Sequence, residues 1–135
     1  MQAKAKPPTG GDRLAAGAST PEPTTGASAE ALAAAFLTRQ GLRVLERNWR
    51  VRGGEIDLIC VDRDSLVFVE VRLRRHGGFG GAGASITSAK QRRLILAARL
   101  YLAGKREQPC RFDAVLLDGL DEANIEWVRN AFDAI

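Results

Sequence analysis

Residues 54–73 read GEIDLICVDRDSLVFVEVRL, and their pattern decides the fold. Residues 55–61 and 66–73 are apolar and rich in β-branched side chains. Asp62-Arg63-Asp64-Ser65 between them supplies turn residues, so the stretch predicts a β-hairpin. A loop at 63–64, or a symmetric one at 62–65, pairs Val61 with Leu66. The same register sets Asp57 opposite Glu70 and Glu55 opposite Arg72, with all four side chains on one face. Ile59, Val61, Leu66 and Phe68 complete that face, and Ile56, Leu58, Cys60, Val67, Val69 and Val71 form the other. Both faces are apolar, as in a sheet covered by helices on each side. A loop one residue longer would slip the register and move Glu70 to the face opposite Asp57.

The elements on either side follow from this hairpin. Upstream, RVLERNWRV at 43–51 alternates like a strand, and Gly53-Gly54 is a hairpin-type turn into the next one. Residues 28–40, SAEALAAAFLTRQ, predict a helix with Ser28 as its cap and Gly41 as its exit. Downstream, 74–86 is a glycine-rich loop. Residues 88–103 predict a helix capped by Thr87, with Leu94, Ala97, Ala98, Tyr101 and Leu102 in one apolar stripe. RFDAVLL at 111–117 is a strand closed by Asp118-Gly119, and a short strand near Ile125–Trp127 follows. The expected order is helix, three antiparallel strands, helix, and one or two strands: an α/β domain over 26–135. Residues 1–25 carry all but one of the prolines and almost no large aliphatic side chain. Such a segment cannot offset its ordering entropy, and a disordered tail is expected.

Composition narrows the function classes. A chain of 135 residues is one domain by size. No apolar run is long enough to span a bilayer, and no signal-type apolar core begins the chain, so a cytoplasmic location is expected. Two cysteines, Cys60 and Cys110, exclude a disulfide scaffold and a four-cysteine zinc site. The net charge of +4 is an average over unlike parts: residues 1–35 are neutral, 36–111 carry +9, and 112–135 carry −5. In the basic middle, Arg72, Arg74 and Arg75 end the hairpin, and Lys90, Arg92 and Arg93 open the second helix. Together they line a candidate groove for a nucleic-acid backbone; an ordinary solvated surface is the alternative.

Two opposed carboxylates are costly. At ~5 Å and an effective dielectric of ~20 they repel by roughly 3 kcal/mol. A shared proton, an arginine or a divalent cation must compensate. Asp57 and Glu70 suit Mg²⁺ or Mn²⁺, which polarises a phosphodiester and activates water. The competing reading is a salt-bridge network, with Arg72 beside Glu70 and Glu55, and Arg50 opposite Asp57 across the first hairpin. Pairing arithmetic leaves both open.

The run GGEIDLICVDRDSLVFVEVRLRR at 53–75 resembles the Gly-Glu-Ile-Asp-Leu-Ile … Val-Phe-Val-Glu-Val-Lys signature of the YraN-like uncharacterised bacterial protein family, UPF0102. Further matches are Ala29-Glu30, Leu45-Glu46-Arg47-Asn48-Trp49-Arg50, Phe79-Gly80, Lys90, Ala98, Tyr101-Leu102 and Arg111-Phe112-Asp113, over about residues 26–118. That family in turn resembles the PD-(D/E)xK nucleases, with a restriction-endonuclease-like or Holliday-junction-resolvase-like core. The resemblance implies a mixed central sheet of four or five strands flanked by helices, in the order αβββαβ. It implies metal ligands Asp57 and Glu70, the Val71 carbonyl as a third, and catalytic roles for Glu30, Glu55 and Arg72. Implied partners are nucleic acid, DNA ahead of RNA, and a second copy of the chain. One departure stands out: the signature lysine is Arg72 here. Arginine stays protonated and cannot act as a base, but it can hold a phosphate. Lys90 is a conjectural substitute reaching in from the second helix. The alternative function is a non-catalytic nucleic-acid-binding or protein-interaction module that keeps the fold.

Other signals are weaker. Gly78–Gly83 matches a dinucleotide-type glycine pattern but joins no parallel strand directly to a helix. His76, the single histidine, has no triad partners. Cys60, Cys110, Trp49 and Trp127 read as core residues, and Asp113 as structural or supporting the site.

Overall fold

The computed structural model describes residues 25–74, 86–120 and 124–133. The expected tail, the glycine pattern at 78–83, His76 and Arg75 lie outside these residues. Five strands form one sheet in the order of the sequence: β1 (Arg43–Val51), β2 (Gly54–Asp62), β3 (Ser65–Arg74), β4 (Cys110–Asp118) and β5 (Ile125–Phe132). All neighbours are antiparallel except β3 and β4, which run parallel and make the sheet mixed. Parallel neighbours need a long crossover, and α2 (Ser88–Leu102) supplies it.

The two helices cover opposite faces. α1 (Thr25–Arg39) lays Ala29, Ala33, Ala34 and Leu37 on Leu58, Cys60, Val67, Val69, Val115 and Leu117. α2 packs Leu94, Ala97 and Ala98 on Ile59, Leu66, Phe68, Ala114 and Leu116. The paired strands β3 and β4 are thereby buried on both sides, which is why their centres read as uninterrupted apolar runs. Alanines on both helices let the backbones come close to the sheet. Tyr101 at the far end of α2 meets Trp49 and Phe68 edge to face, with centroids at 5.2 and 6.1 Å.

The hairpin register is the expected one. Arg63 and Asp64 form the loop, Asp62 pairs with Ser65, and the ladder runs from Val61–Leu66 to Leu58–Val69. α2 begins as expected, with the Thr87 hydroxyl accepting the Lys90 amide at 3.2 Å. The chain leaves α1 through Gly41 (φ +103), where the Leu42 amide bonds the Leu37 carbonyl and the Gly41 amide bonds that of Thr38.

Several expectations are corrected. α1 starts at Thr25, so Ser28 lies inside the helix and is not its cap. Ala29 is already packed on the sheet, and tertiary packing there outweighs a local cap. The first hairpin turns at Arg52-Gly53, because Val51 pairs with Gly54 and Gly54 belongs to β2. Ile56 packs with the α2-side core instead of joining Leu58. β5 runs on to Phe132, whose ring stacks on Phe112 at 4.9 Å.

The outer strands are irregular. β1 shifts register between Val44 and Glu46, and its Asn48 takes φ 51. β5 shifts opposite Asp113, and its Asn130 takes φ 52. Asparagine tolerates this left-handed conformation better than most residues.

Candidate functional site

The site forms where the ladders on both sides of β2 lapse. β1–β2 pairing includes Arg47–Leu58 and Trp49–Ile56 but skips Asn48 and Asp57 between them. β2–β3 pairing stops at Leu58–Val69, one step short of Asp57 and Glu70. The expected backbone pairings of Asp57 with Glu70 and of Glu55 with Arg72 therefore lie beyond the ladder. In their place the Val71 amide donates to Asp57 Oδ2 at 2.8 Å. The side chain takes the role that a partner carbonyl would have in a regular sheet, and this ties the carboxylate to β3.

Asp57 and Glu70 are both buried, at 9% and 4% exposure. Burial pushes the Asp57 carboxyl up to about 8. The negative charge of Glu70 and, more weakly, that of Glu30 push the same way, while the Val71 amide opposes them. A smaller hydrogen-bond contribution from Glu70 raises the Asp57 carboxyl further, and the proton that Asp57 then keeps at neutral pH relieves part of the repulsion between the two. Glu30 lies half-buried on α1 and reaches the pair through its charge.

The second compensation is Lys90. Its Nζ stands 2.7 Å from Glu70 Oε2, from the first turn of α2. Gly54 makes that approach possible. A Cβ at Gly54 would come within 2.5 Å of the Arg93 carbonyl oxygen. The bare backbone of β2 thus lets α2 dock one turn below Lys90.

Arg72 is half-buried on β3, and its buried Nε has no hydrogen-bond partner among the described residues. Arg50 pairs with Glu55 at 3.6 Å rather than opposing Asp57, because the register sets it against Glu55. Both are exposed, and the pair adds little stability. Arg50, Val51, Gly54, Glu55 and Arg93 line a recess of about 270 Å³. Glu55 and Arg93 also border a narrow crevice with Glu70 and Lys90. Arg92 and Arg93 are exposed on α2. Arg74 is held by Asp118 at 3.3 Å and Glu126 at 3.4 Å, which balances its charge within the fold. Among the described residues no three His, Cys, Asp or Glu side chains gather as a metal cluster. The acidic donors on offer are a pair, Asp57 and Glu70.

A larger cavity, about 600 Å³, lies at the opposite end of the hairpin, between Gln40, Asp62, Arg63, Ser65, Arg111 and Arg129. Its size does not make it the better site, since its central charges are already engaged. Arg111 bonds Asp62 at 2.9 Å and the wholly buried Asp113 at 3.0 Å. Burial opposes the Arg111 charge, but the bonds to Asp113 and Asp62 outweigh it and raise its pKa. Asp113 also accepts the Trp127 indole N–H and the Asn130 amide, each at 3.0 Å. It is a structural hub that satisfies the amide freed by the β5 irregularity. Cys60 is a buried core thiol, pushed up to about 12 mainly by burial, and Cys110 is half-buried.

Sequence reasoning missed the interruption of the ladder at Asp57. The available signal was Asn48, a residue poorly suited to a strand and suited to positive φ.

The sequence pattern of the uncharacterised protein family UPF0102 matches residues 29–117. A UPF0102 protein of Dechloromonas aromatica is 60% identical over 109 residues, covering 81% of this chain and 88% of the relative. The UPF0102 protein NE0719 of Nitrosomonas europaea is 62% identical over 109 residues, covering 80% and 92%. The UPF0102 protein PSEEN4497 of Pseudomonas entomophila is 51% identical over 113 residues, again covering 80% and 92%. The matched span runs from within α1 to Leu117 on β4 and contains Asp57, Glu70 and Lys90, so the chain belongs to the uncharacterised protein family UPF0102.

Proposed function

We propose that this chain is a cytoplasmic nucleic-acid-binding protein with an endonuclease-like core that hydrolyses phosphodiesters with Mg²⁺ or Mn²⁺. The observation that carries this reading is the buried pair of Asp57 and Glu70, set side by side with the Asp57 carboxyl pushed up to about 8. A fold that keeps two acids together in a dry place at that cost has a use for their combined charge. The donor set fits a hard cation: two carboxylates, with the Val71 carbonyl next to them in sequence. When bound there, the ion would supply Lewis-acid polarisation of a phosphate oxygen. The protein's own residues do the rest. The Val71 amide orients Asp57, Arg72 offers a guanidinium for a phosphate, and Arg93 and Arg92 extend the cationic border along α2. Arg75, read from the sequence as part of the same basic set, lies outside the described residues. DNA is proposed ahead of RNA, and a homodimer as the working assembly.

Labelled duplex, branched and single-stranded DNA and RNA, incubated with Mn²⁺ or Mg²⁺, test the reading. Cleavage that disappears in Asp57→Ala and Glu70→Ala supports it. A second reading, a binding module without catalysis, is favoured by Arg72, which cannot serve as a base. It expects salt-sensitive nucleic-acid binding that survives both substitutions, with no cleavage in the parent protein.

A further inference from the structure

We propose that Lys90 is a built-in counter-cation for Glu70 that gives way when a divalent cation enters, and then contacts the phosphate backbone. The inference rests on the metal-site reading of Asp57 and Glu70, and it assigns Lys90 the control of that site. Three observations carry it.

The first is charge. Two buried acids face one cation among the described residues, Lys90, at 2.7 Å from Glu70 Oε2. Among the described residues Asp57 has the Val71 amide as a partner and no cation in a salt bridge with it. Lys90 therefore answers the Glu70 carboxylate, and it does so through an oxygen that a divalent cation would need.

The second is position. Thr87 caps α2, so Lys90 is the third residue of the helix, where unbonded amides disfavour a positive side chain and where glutamate commonly caps. The first turn of α2 contains no acid to offset this. Helix stability does not explain a lysine here; Glu70 does.

The third is freedom to move. Glu70 is nearly enclosed, with 6% of its side chain exposed, but Lys90 is 31% exposed. The ammonium sits on a flexible four-carbon stem and swings toward solvent without any shift of the helix. The contact of Gly54 with Arg93 holds α2 in place meanwhile. Once released, Lys90 joins Arg93, which borders the same crevice, and the exposed Arg92 beside it on α2. Metal entry and polyanion binding are then coupled, and each strengthens the other.

The test is calorimetric titration of the full chain with MnCl₂ at fixed ionic strength, without nucleic acid. Lys90→Gln and Lys90→Met bind Mn²⁺ about tenfold or more tighter than the parent, because no tethered cation must be expelled. Lys90→Arg, which keeps the charge, stays near the parent value, and Asp57→Asn loses the site. Circular dichroism confirms that each variant is folded. In a second arm, Mn²⁺ strengthens binding of a fluorescent duplex to the parent and does so less for Lys90→Gln. If the parent binds Mn²⁺ through Asp57 but neither neutral variant binds more tightly, the role of Lys90 is overturned and the metal site stands. If Lys90→Arg gains as much as Lys90→Gln, charge competition is overturned in the same way. If no variant shows Asp57-dependent Mn²⁺ binding, both readings fall.

Discussion

Gly54 on β2 and Arg93 on α2 meet backbone to backbone, with room for a hydrogen and not for a methyl. A Cβ at Gly54 would lie 2.5 Å from the Arg93 carbonyl oxygen and 3.3 Å from the Ala97 Cβ. Gly54→Ala must push the helix off the sheet, at a cost of about 1–3 kcal/mol. Urea unfolding measures the loss. An unchanged midpoint would mean that α2 is not seated on β2 as described.

Asp57 gives the protein a pH-dependent stability in metal-free buffer. Its carboxyl moves from an ordinary value of 3.8 to about 8 on folding, mainly through burial. Between these values the folded chain holds a proton that the unfolded chain has lost. Stability is therefore fully present at acid pH, falls as pH rises toward about 8, and levels off above it. Asp57→Asn removes this slope and raises the unfolding midpoint at pH 8 by the equivalent of about 1–3 kcal/mol. Thermal unfolding of both proteins from pH 5 to 9, with chelator, checks the sign. A parent protein that gains stability over this range through Asp57 would contradict the account.

Asp113 on β4 ties its own strand to β5 through one buried carboxylate that takes three donors. Asp113→Ala leaves the Arg111 guanidinium, the Trp127 indole and the Asn130 amide short of a partner at once. The expected loss is about 3–5 kcal/mol, the scale for breaking a buried charged contact. Trp127 fluorescence during denaturant unfolding reports both the loss and the local change. A cost below about 1 kcal/mol would show that Asp113 is not a hub.

Thr87→Ala removes the hydroxyl that accepts the Lys90 amide. The change costs about 1 kcal/mol. Thr87→Ser retains the acceptor and stays near the parent midpoint in the same unfolding experiment.

The two apolar runs around Asp62–Ser65 made the central hairpin and its register legible from the chain alone, since strands buried on both faces leave few ways to pair. Thr87 and the stripe from Leu94 to Leu102 did the same for α2. The start of α1 was not legible, because Ser28 is a good local cap and only the packing of Ala29 on the sheet overrides it. The site was half legible. Pairing arithmetic brought Asp57 and Glu70 together, but it assumed a regular ladder. The actual link runs through the Val71 amide, and that depends on a break in two ladders at once. Lys90 could be named as a candidate, but its distance to Glu70 depends on how deeply α2 settles at Gly54, a three-dimensional fact.

The asparagines of the outer strands have a further consequence. Among the described residues β1 and β5 are the rims of the sheet, and the outer edge of each pairs with no further strand. Asn48 and Asn130, both with positive φ, and the register shifts near them bend each rim out of line. A foreign strand finds no straight template to extend on either side, which protects the protein from edge-to-edge aggregation. It also disfavours pairing of two copies by continuation of the sheet.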